Sequence, residues 1–477
     1  MTQSINKIII VGGGTAGWST AAILSNNPKL QVVVVQSPTI PIIGVGESTI
    51  PIVNIAHARM GLDVFNNLDW MDRVDGVIKF SIEFEGFNEN GKWWLHPFFK
   101  SNGLDRVTLS LNDFHSAKSQ SEYVHKYTQF GAMRKAGFVS NAEWGTMAGA
   151  KRDCGYQVNA ALYAELIADE SCKRSNVTRI ISDVTKVKLD ADGNVSGLQL
   201  TDGSVLSGDL YVDCTGMSSL LIDAVGSEFI SIQDRLIVDS VVVTQLPYLD
   251  KQVQLQNTTT CRALSSGWVW NIGLESRIGT GYIYSSKFTT AEEAVVEFKE
   301  HLRSSYGYVP ADIEVKRIFD FRTGYREHSW TKNVVAIGMS SFFAEPIEST
   351  AIAVFQNDAT QLATLVSSPH IPYENKVANY NTAQKASVMS ILEFAELHYL
   401  LTSRDDTPFW SYYKNRAFSP VQRKILASYL SDEASVKFDS SAIGSALGGA
   451  SLFDTASYRL MFFGYGLLPK SGLAVWK

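Results

Sequence analysis

Cysteine is scarce: Cys154, Cys172, Cys214 and Cys261 are the only four in 477 residues. No two share a C-x-x-C spacing, so neither a disulfide framework nor a cysteine-based structural zinc site is expected, and no other metal site is read. Charged residues are also sparse at 19%, which excludes the composition of a disordered chain. Their slight acidic excess, net −6, leaves no electrostatic footprint for nucleic acid or an anionic membrane. Long apolar runs are missing. The nearest approach is the uncharged stretch Ile8–Pro28, but Gly12, Gly13, Gly14 and Gly17 with their hydroxyl neighbours make it too polar to span a bilayer. It reads as the opening of a fold. With no targeting segment read, the expected location is cytoplasmic.

Apolar residues are plentiful at 45%, enough for a large core. At roughly 150 residues per domain, the length fits about three domain-sized units or one two-part enzyme. Lys7–Val11 and Gln31–Val35 are short, almost wholly apolar runs of the kind that form buried parallel strands. Between them, Gly12-x-Gly14-x-x-Gly17 opens an Ala- and Leu-rich helical stretch. Gly12 permits the tight turn, Gly14 lets backbone approach a pyrophosphate, and Gly17 lets the helix pack on the strand. The helix N-terminus adds N–H donors for phosphate. A glycine turn with no ligand remains the alternative. The acid that usually ends the second strand and binds ribose is replaced by Gln36, which still hydrogen-bonds a hydroxyl.

Asp213-Cys214-Thr215-Gly216 and Asn333–Gly338 close two later buried strands. Three separated contact segments fit an extended, sheltered FAD better than an exchanging nicotinamide, although Asp213 is also open to a turn-cap role. Thr185–Leu206 carries hairpin signals at Asp190–Asn194 and Thr201–Ser204. Gly267–Ser285 suits sheet, and the chain beyond Tyr373 looks helical. Ser440–Phe453, rich in small residues, reads as a mobile loop.

Further motifs then accumulate in order: GGGTAGW at Gly12–Trp18, IGVGESTIP at Ile43–Pro51, GVIK at Gly76–Lys79, HPF at His96–Phe98, DLYVDCTGMSSLLI at Asp209–Ile222, GWVWNI at Gly267–Ile272, GTGYIYSS at Gly279–Ser286, FFAEPIEST at Phe342–Thr350 and RDDTPFW at Arg404–Trp410. With these the chain resembles the flavin-dependent halogenases of the tryptophan-halogenase type. The resemblance implies an α/β fold: a Rossmann-like FAD-binding module of the flavin monooxygenase type with inserted antiparallel sheet and a helical C-terminal region. The module would be assembled from roughly 1–75, 150–225 and 315–365, with inserted segments at roughly 76–149 and 226–314 and a covering region at 366–477.

It also implies an activity. Reduced FAD, O2 and chloride, bromide or iodide give hypohalous acid, which halogenates an electron-rich aromatic, indole-like or phenolic. Lys79 corresponds to the essential lysine that polarises the oxidant or forms a haloamine with it, and Glu348 to the active-site glutamate. Gly12, Gly14, Thr15, Ala16, Gly17, Gln36, Gly46, Glu47, Ser48, Thr215, Gly216, Gly338, Ser349 and Ile352 would hold FAD. The N–H groups of Thr350 and Ala351 would hold halide, and His96 and Phe98 would contact substrate. Trp268 and Trp270 would crowd the flavin and suppress monooxygenation, with Gly273 where the family has proline.

Structural readings stand beside these roles. Trp268 and Trp270 also read as a core pair, Glu348 as a helix-cap carboxylate, and His96–Phe98 as a core turn. Trp93, Trp94, Tyr458, Phe462 and Phe463 are candidates for an aromatic wall or for packing. The competing functions are an FAD-dependent aromatic monooxygenase and a flavin-binding redox sensor. Only one dinucleotide fingerprint is present, so a separate flavin reductase is the expected partner.

Overall fold

The computed structural model describes residues 5–42, 46–62, 68–89, 92–98, 138–146, 154–306, 317–431, 440–447 and 451–467. Ile43–Val45 of the IGVGESTIP motif lie outside them. The chain divides into two compact units. The first comprises Met1–Gly76, Val158–Asp234 and Arg322–Lys385; the second comprises Val77–Gln157, Arg235–Phe321 and Ala386–Lys477.

The first unit is built on a six-stranded sheet ordered Trp330–Thr331, Val334–Ala336, Leu210–Asp213, Lys7–Val11, Gln31–Gln36, Val177–Ile181. All neighbours run parallel except the edge pair of Trp330–Thr331 with Val334–Ala336. Lys7–Val11 lies central, with Ile10 opposite Val34 on one side and Val212 on the other. Ile8, Ile9 and Ile10 have no exposed surface, which is why this strand is apolar on both faces. The helix Thr15–Leu24 is buried from Gly17 through Leu24 and therefore lacks a polar stripe.

The predicted hairpins form a three-stranded antiparallel sheet of Val184–Leu189, Val195–Leu200 and Val205–Leu206. Asp190 closes the first turn by accepting from the Asn194 N–H at 2.8 Å.

Helix Ala351–Val366 hides a titratable group. Asp358 is buried, and neither carboxyl oxygen has a hydrogen-bond partner among the described residues. Burial pushes its pKa up to about 8. The folded protein thus holds a proton that the unfolded chain releases near pH 4. The stability tied to that proton is present below the unfolded value and is lost as pH rises towards 8. Asp358→Asn, a neutral isostere, is expected to raise the melting temperature by several degrees at pH 8, corresponding to a few kcal/mol at most, and by less at pH 5. Melting curves at both pH values test this; a gain that does not grow with pH contradicts it.

The second unit carries a seven-stranded sheet ordered Arg317–Asp320, Ser240–Leu246, Ile278–Tyr284, Gly267–Gly273, Thr258–Ala263, Ser81–Glu85, Trp93–Pro97. On Gly267–Gly273, Val269 points into an apolar cluster with Val242, Tyr282, Tyr284 and Phe298. Period-two alternation therefore puts Trp268 and Trp270 on the opposite face. The ladder continues through Gly273, paired with Ile278, so glycine in place of proline leaves the strand intact. The unit also holds helix Ala291–Tyr306, the C-terminal part of Tyr373–Leu400, and helices Pro408–Lys414, Pro420–Leu430, Ser440–Leu447 and Thr455–Gly464. Part of the predicted mobile loop is thus a helix, Ser440–Leu447. Ala442, Ile443, Ala446 and Leu447 give it an apolar face at helical spacing, with Ile443 buried.

Candidate active site

In the first unit, three chain segments meet at the glycine turn. Gly12 has φ +119, and a Cβ there would lie 2.1 Å from the Cys214 carbonyl oxygen. Gly17 is as confined, with its virtual Cβ 1.8 Å from the Gly12 oxygen. Gly338, at φ +80, would bring a Cβ within 3.0 Å of Ala16. Hydrogen bonds fix the convergence: Gly12 N to Val35 O at 2.9 Å, Cys214 N to Val11 O at 2.8 Å and Ile337 N to Asp213 O at 3.0 Å. Gly14 differs. Its virtual Cβ meets nothing within 4 Å, so open space lies before the helix N-terminus. The N-cap is Gly14, which has no side chain to cap with, so among the described residues no side-chain cap takes the first amides and they suit a ligand. A pyrophosphate fits that space, and FAD fits the arrangement.

Gly14→Val tests this directly. Gly14 has ordinary extended angles, φ −82 and ψ −173, so valine is tolerated by the backbone. The loss at the N-cap is about 1 kcal/mol or less. The variant is expected to melt close to wild type yet bind FAD at least about tenfold more weakly. A flavin-fluorescence titration checks it, and unchanged affinity contradicts it.

The other predicted flavin residues divide by what occupies them. Gln36 Oε1 accepts from Trp18 Nε1 at 3.2 Å, and its amide NH2 remains as the donor for a ribose hydroxyl. Gly46 has φ +133 and leads into the short strand Glu47–Ser48. Burial pushes the Glu47 carboxyl up to about 7. Asp213 takes the capping role: its oxygens accept from Thr215 N, Thr215 Oγ1, Leu221 N and Ile222 N at 2.7–2.9 Å. Thr215 Oγ1 in turn accepts from Leu220 N. Gly216, at φ +67, turns the chain after it, and Ile352 is buried near the start of the helix Ala351–Val366.

Glu348 is buried in a turn closed by Ser349 N to Pro346 O at 2.9 Å. It stands two residues before the N-cap Thr350, next to the start of the helix. Ser349 adopts φ +56, a left-handed conformation costing of order 1 kcal/mol for a non-glycine. Thr350 follows with φ −85 and ψ −19 and makes no side-chain cap. Consecutive residues of opposite hand turn successive N–H groups toward one concavity. Here that concavity coincides with a helix N-terminus, so the Thr350 and Ala351 amides suit a small anion.

In the second unit, Lys79 ends the strand Val77–Lys79, paired with Gly155–Val158 so that Lys79 faces Gly155. The chain then kinks into the large sheet. Asn257 holds this junction: its Nδ2 donates to Ile78 O at 2.8 Å and Val139 O at 3.0 Å, and its carbonyl accepts from Phe80 N at 2.7 Å. Phe98 N bonds Phe80 O at 2.8 Å, which brings Phe98 beside Lys79. Lys79 Nζ, with no exposed surface, lies 5.2 Å from the Phe98 ring centroid. A desolvated cation over a ring gains about 2 kcal/mol.

His96 stands edge-on to Phe98 with centroids 6.1 Å apart, and its Nε2 meets Ser457 Oγ at 3.0 Å. Phe394 and Phe453, stacked 3.8 Å apart, flank His96 at 6.1 and 6.4 Å. Lys79, Phe98 and His96 are therefore brought together, and Phe394, Phe453 and Asn257 join them unpredicted. Trp94 is core: it stacks on Phe84 at 4.4 Å, and Gly464 is confined against its indole. Tyr458 and Phe462 are also packing residues, the first edge-on to Phe394 and the second against Tyr429.

The family model for tryptophan halogenase matches residues 7–475. The chain belongs to the tryptophan halogenase family. It is 33% identical to the tryptophan 6-halogenase SttH of Streptomyces toxytricini over 87% of this chain and 82% of that protein. It is 30% identical to the tryptophan 7-halogenase RebH of Lentzea aerocolonigenes, over 89% and 82%. Among solved structures it is similar to the flavin-dependent halogenase Xcc4156 of Xanthomonas campestris, with TM-score 0.84, 27% identity and coverage of 98% and 90%. The halogenase thus has the expected mixed α/β fold with a Rossmann-like flavin module, and it is a flavin-dependent oxidoreductase. Among the described residues, no helix is long and apolar enough to cross a membrane, and no cluster of three or more His, Cys, Asp or Glu could hold a metal.

Proposed function

We propose that this halogenase converts halide to hypohalous acid and uses it to halogenate an indole-like or phenolic ring. FAD, in its reduced form, would supply two of the four electrons that O2 accepts, and the halide gives up the other two. The balance is one halide, one O2, one proton and one reduced FAD giving hypohalous acid, water and oxidised FAD. Gly12, Gly14, Thr15, Ala16, Gly17, Gln36, Gly46, Glu47, Ser48, Thr215, Gly216, Gly338, Ser349 and Ile352 form the flavin side, and the Thr350 and Ala351 amides receive the halide. Lys79 hydrogen-bonds and polarises the oxidant. Glu348 takes the proton lost when the ring C–H becomes C–halogen, the second product being water.

The observation that carries this reading is the buried Lys79 ammonium against Phe98, continuous with the wall of His96, Phe394 and Phe453. An aromatic wall accommodates a flat ring. Reduced flavin comes from a separate reductase in the cytoplasm, since one dinucleotide fingerprint serves the whole chain.

A competition panel of L-tryptophan, indoles and phenols, run with a flavin reductase, NADH and each halide in turn, tests the substrate class. The expected result is one halogen added to an indole or phenol ring; no halogenated product from any member of the panel contradicts it.

A further inference from the structure

Trp268 and Trp270 lie on one face of one strand, but their surroundings differ. Trp268 has no exposed surface. Its Nε1–H donates to the Tyr399 hydroxyl at 2.9 Å. Tyr399 is itself fixed, stacked on Tyr413 at 4.6 Å and on Trp410 at 6.1 Å. The Tyr413 hydroxyl accepts from Ile237 N at 3.0 Å and donates to Arg235 O at 3.1 Å, while Trp410 Nε1 donates to Leu264 O at 2.8 Å. Trp268 is therefore tethered to a polar-capped aromatic core.

Trp270 is 8% exposed and stands edge-on to Trp268, centroids 6.1 Å apart. Its benzene ring lies over Gly281, the residue opposite it on the neighbouring strand. A Cβ at Gly281 would sit 2.4 Å from both Cζ2 and Cη2. The indole lies flat on the sheet because that glycine has no side chain.

We infer that the two tryptophans have separate tasks: Trp270 shields the flavin, Trp268 is its anchor, and Tyr399 and Gly281 are positioning residues that set the indole pose. The inference rests on the proposed function and on the resemblance, which implies that the pair crowds the flavin. Loss of the pose uncouples turnover: two electrons and two protons pass from reduced FAD to O2, and hydrogen peroxide leaves in place of product.

Tyr399→Phe removes the acceptor and keeps the ring. In the flavin-free full chain, the indole N–H resonance of Trp268, assigned by its loss in Trp268→Phe, is expected to shift and exchange faster. Halogenated product per NADH should fall about fivefold, the population change expected for one lost hydrogen bond, with a matching rise in peroxide. Gly281→Ala should do the same by lifting Trp270. Tyr399→Phe should be silent when added to Trp268→Phe, which has no N–H to position. An unshifted resonance, or wild-type coupling in both Tyr399→Phe and Gly281→Ala while Trp270→Ala uncouples, overturns the inference alone. Wild-type coupling in Trp270→Ala overturns the shielding reading, and the inference with it.

Discussion

Lys79→Ala is expected to stop halogenation while flavin-dependent oxygen consumption continues. Product formation should fall by about two to four orders of magnitude, the range for removal of a positioned acid–base group. The basis is local. Lys79 is fully buried, and its ammonium lies over Phe98, edge-on to His96. An ammonium there can donate to hypohalous acid and polarise its oxygen–halogen bond, which alanine cannot do. Lys79→Met supplies the control for volume, because it keeps an unbranched chain as far as Cε, with sulfur in place of Cδ, and lacks the nitrogen. Both variants should consume NADH at wild-type rates and release oxidant or peroxide. Product at the wild-type rate in either variant contradicts the assignment, and loss of flavin turnover along with product points to a structural role.

Glu348→Gln is expected to slow product formation by about 100-fold with less effect on flavin turnover. The amide matches the carboxylate in shape and keeps one hydrogen-bond acceptor, but it cannot take the ring proton or balance a cationic intermediate. Glu348 is buried in the Pro346–Ser349 turn, outside the helix that follows, and the amide keeps its shape there. Single-turnover mixing of reduced enzyme with O2, halide and an aromatic substrate separates the steps. Normal flavin reoxidation with delayed product is the expected pattern; equal rates for both in the variant contradict it.

What the sequence revealed was what local chemistry dictates. The glycine turn, the apolar strands and the hairpins declare themselves through φ requirements, uniform apolarity and turn residues, and each appears where those features fall. The convergence of Cys214 and Gly338 on Gly12 and Ala16 follows from a family pattern whose members lie far apart along the chain. Other features are tertiary. Nothing near Asn257 marks it as the clamp behind Lys79, because its partners Ile78, Phe80 and Val139 are remote in sequence. Phe453 lies in a stretch read as a mobile loop, yet it stacks on Phe394 from a distant helix. Alternation places Trp268 and Trp270 on one face but cannot say which is tethered and which lies over a glycine. That difference arises from Tyr399 and Gly281, one on another element and one across the ladder. Asp213 had two readings, and four converging donors decide for the cap.

The most direct test of the central claim is the product mass spectrum of the wild-type enzyme supplied with bromide, reduced flavin, O2 and an indole. Halogenation predicts the equal-intensity isotope doublet of one bromine replacing one hydrogen, formed only when bromide is present. A product carrying one added oxygen, formed with or without bromide, would contradict it and make the enzyme a monooxygenase.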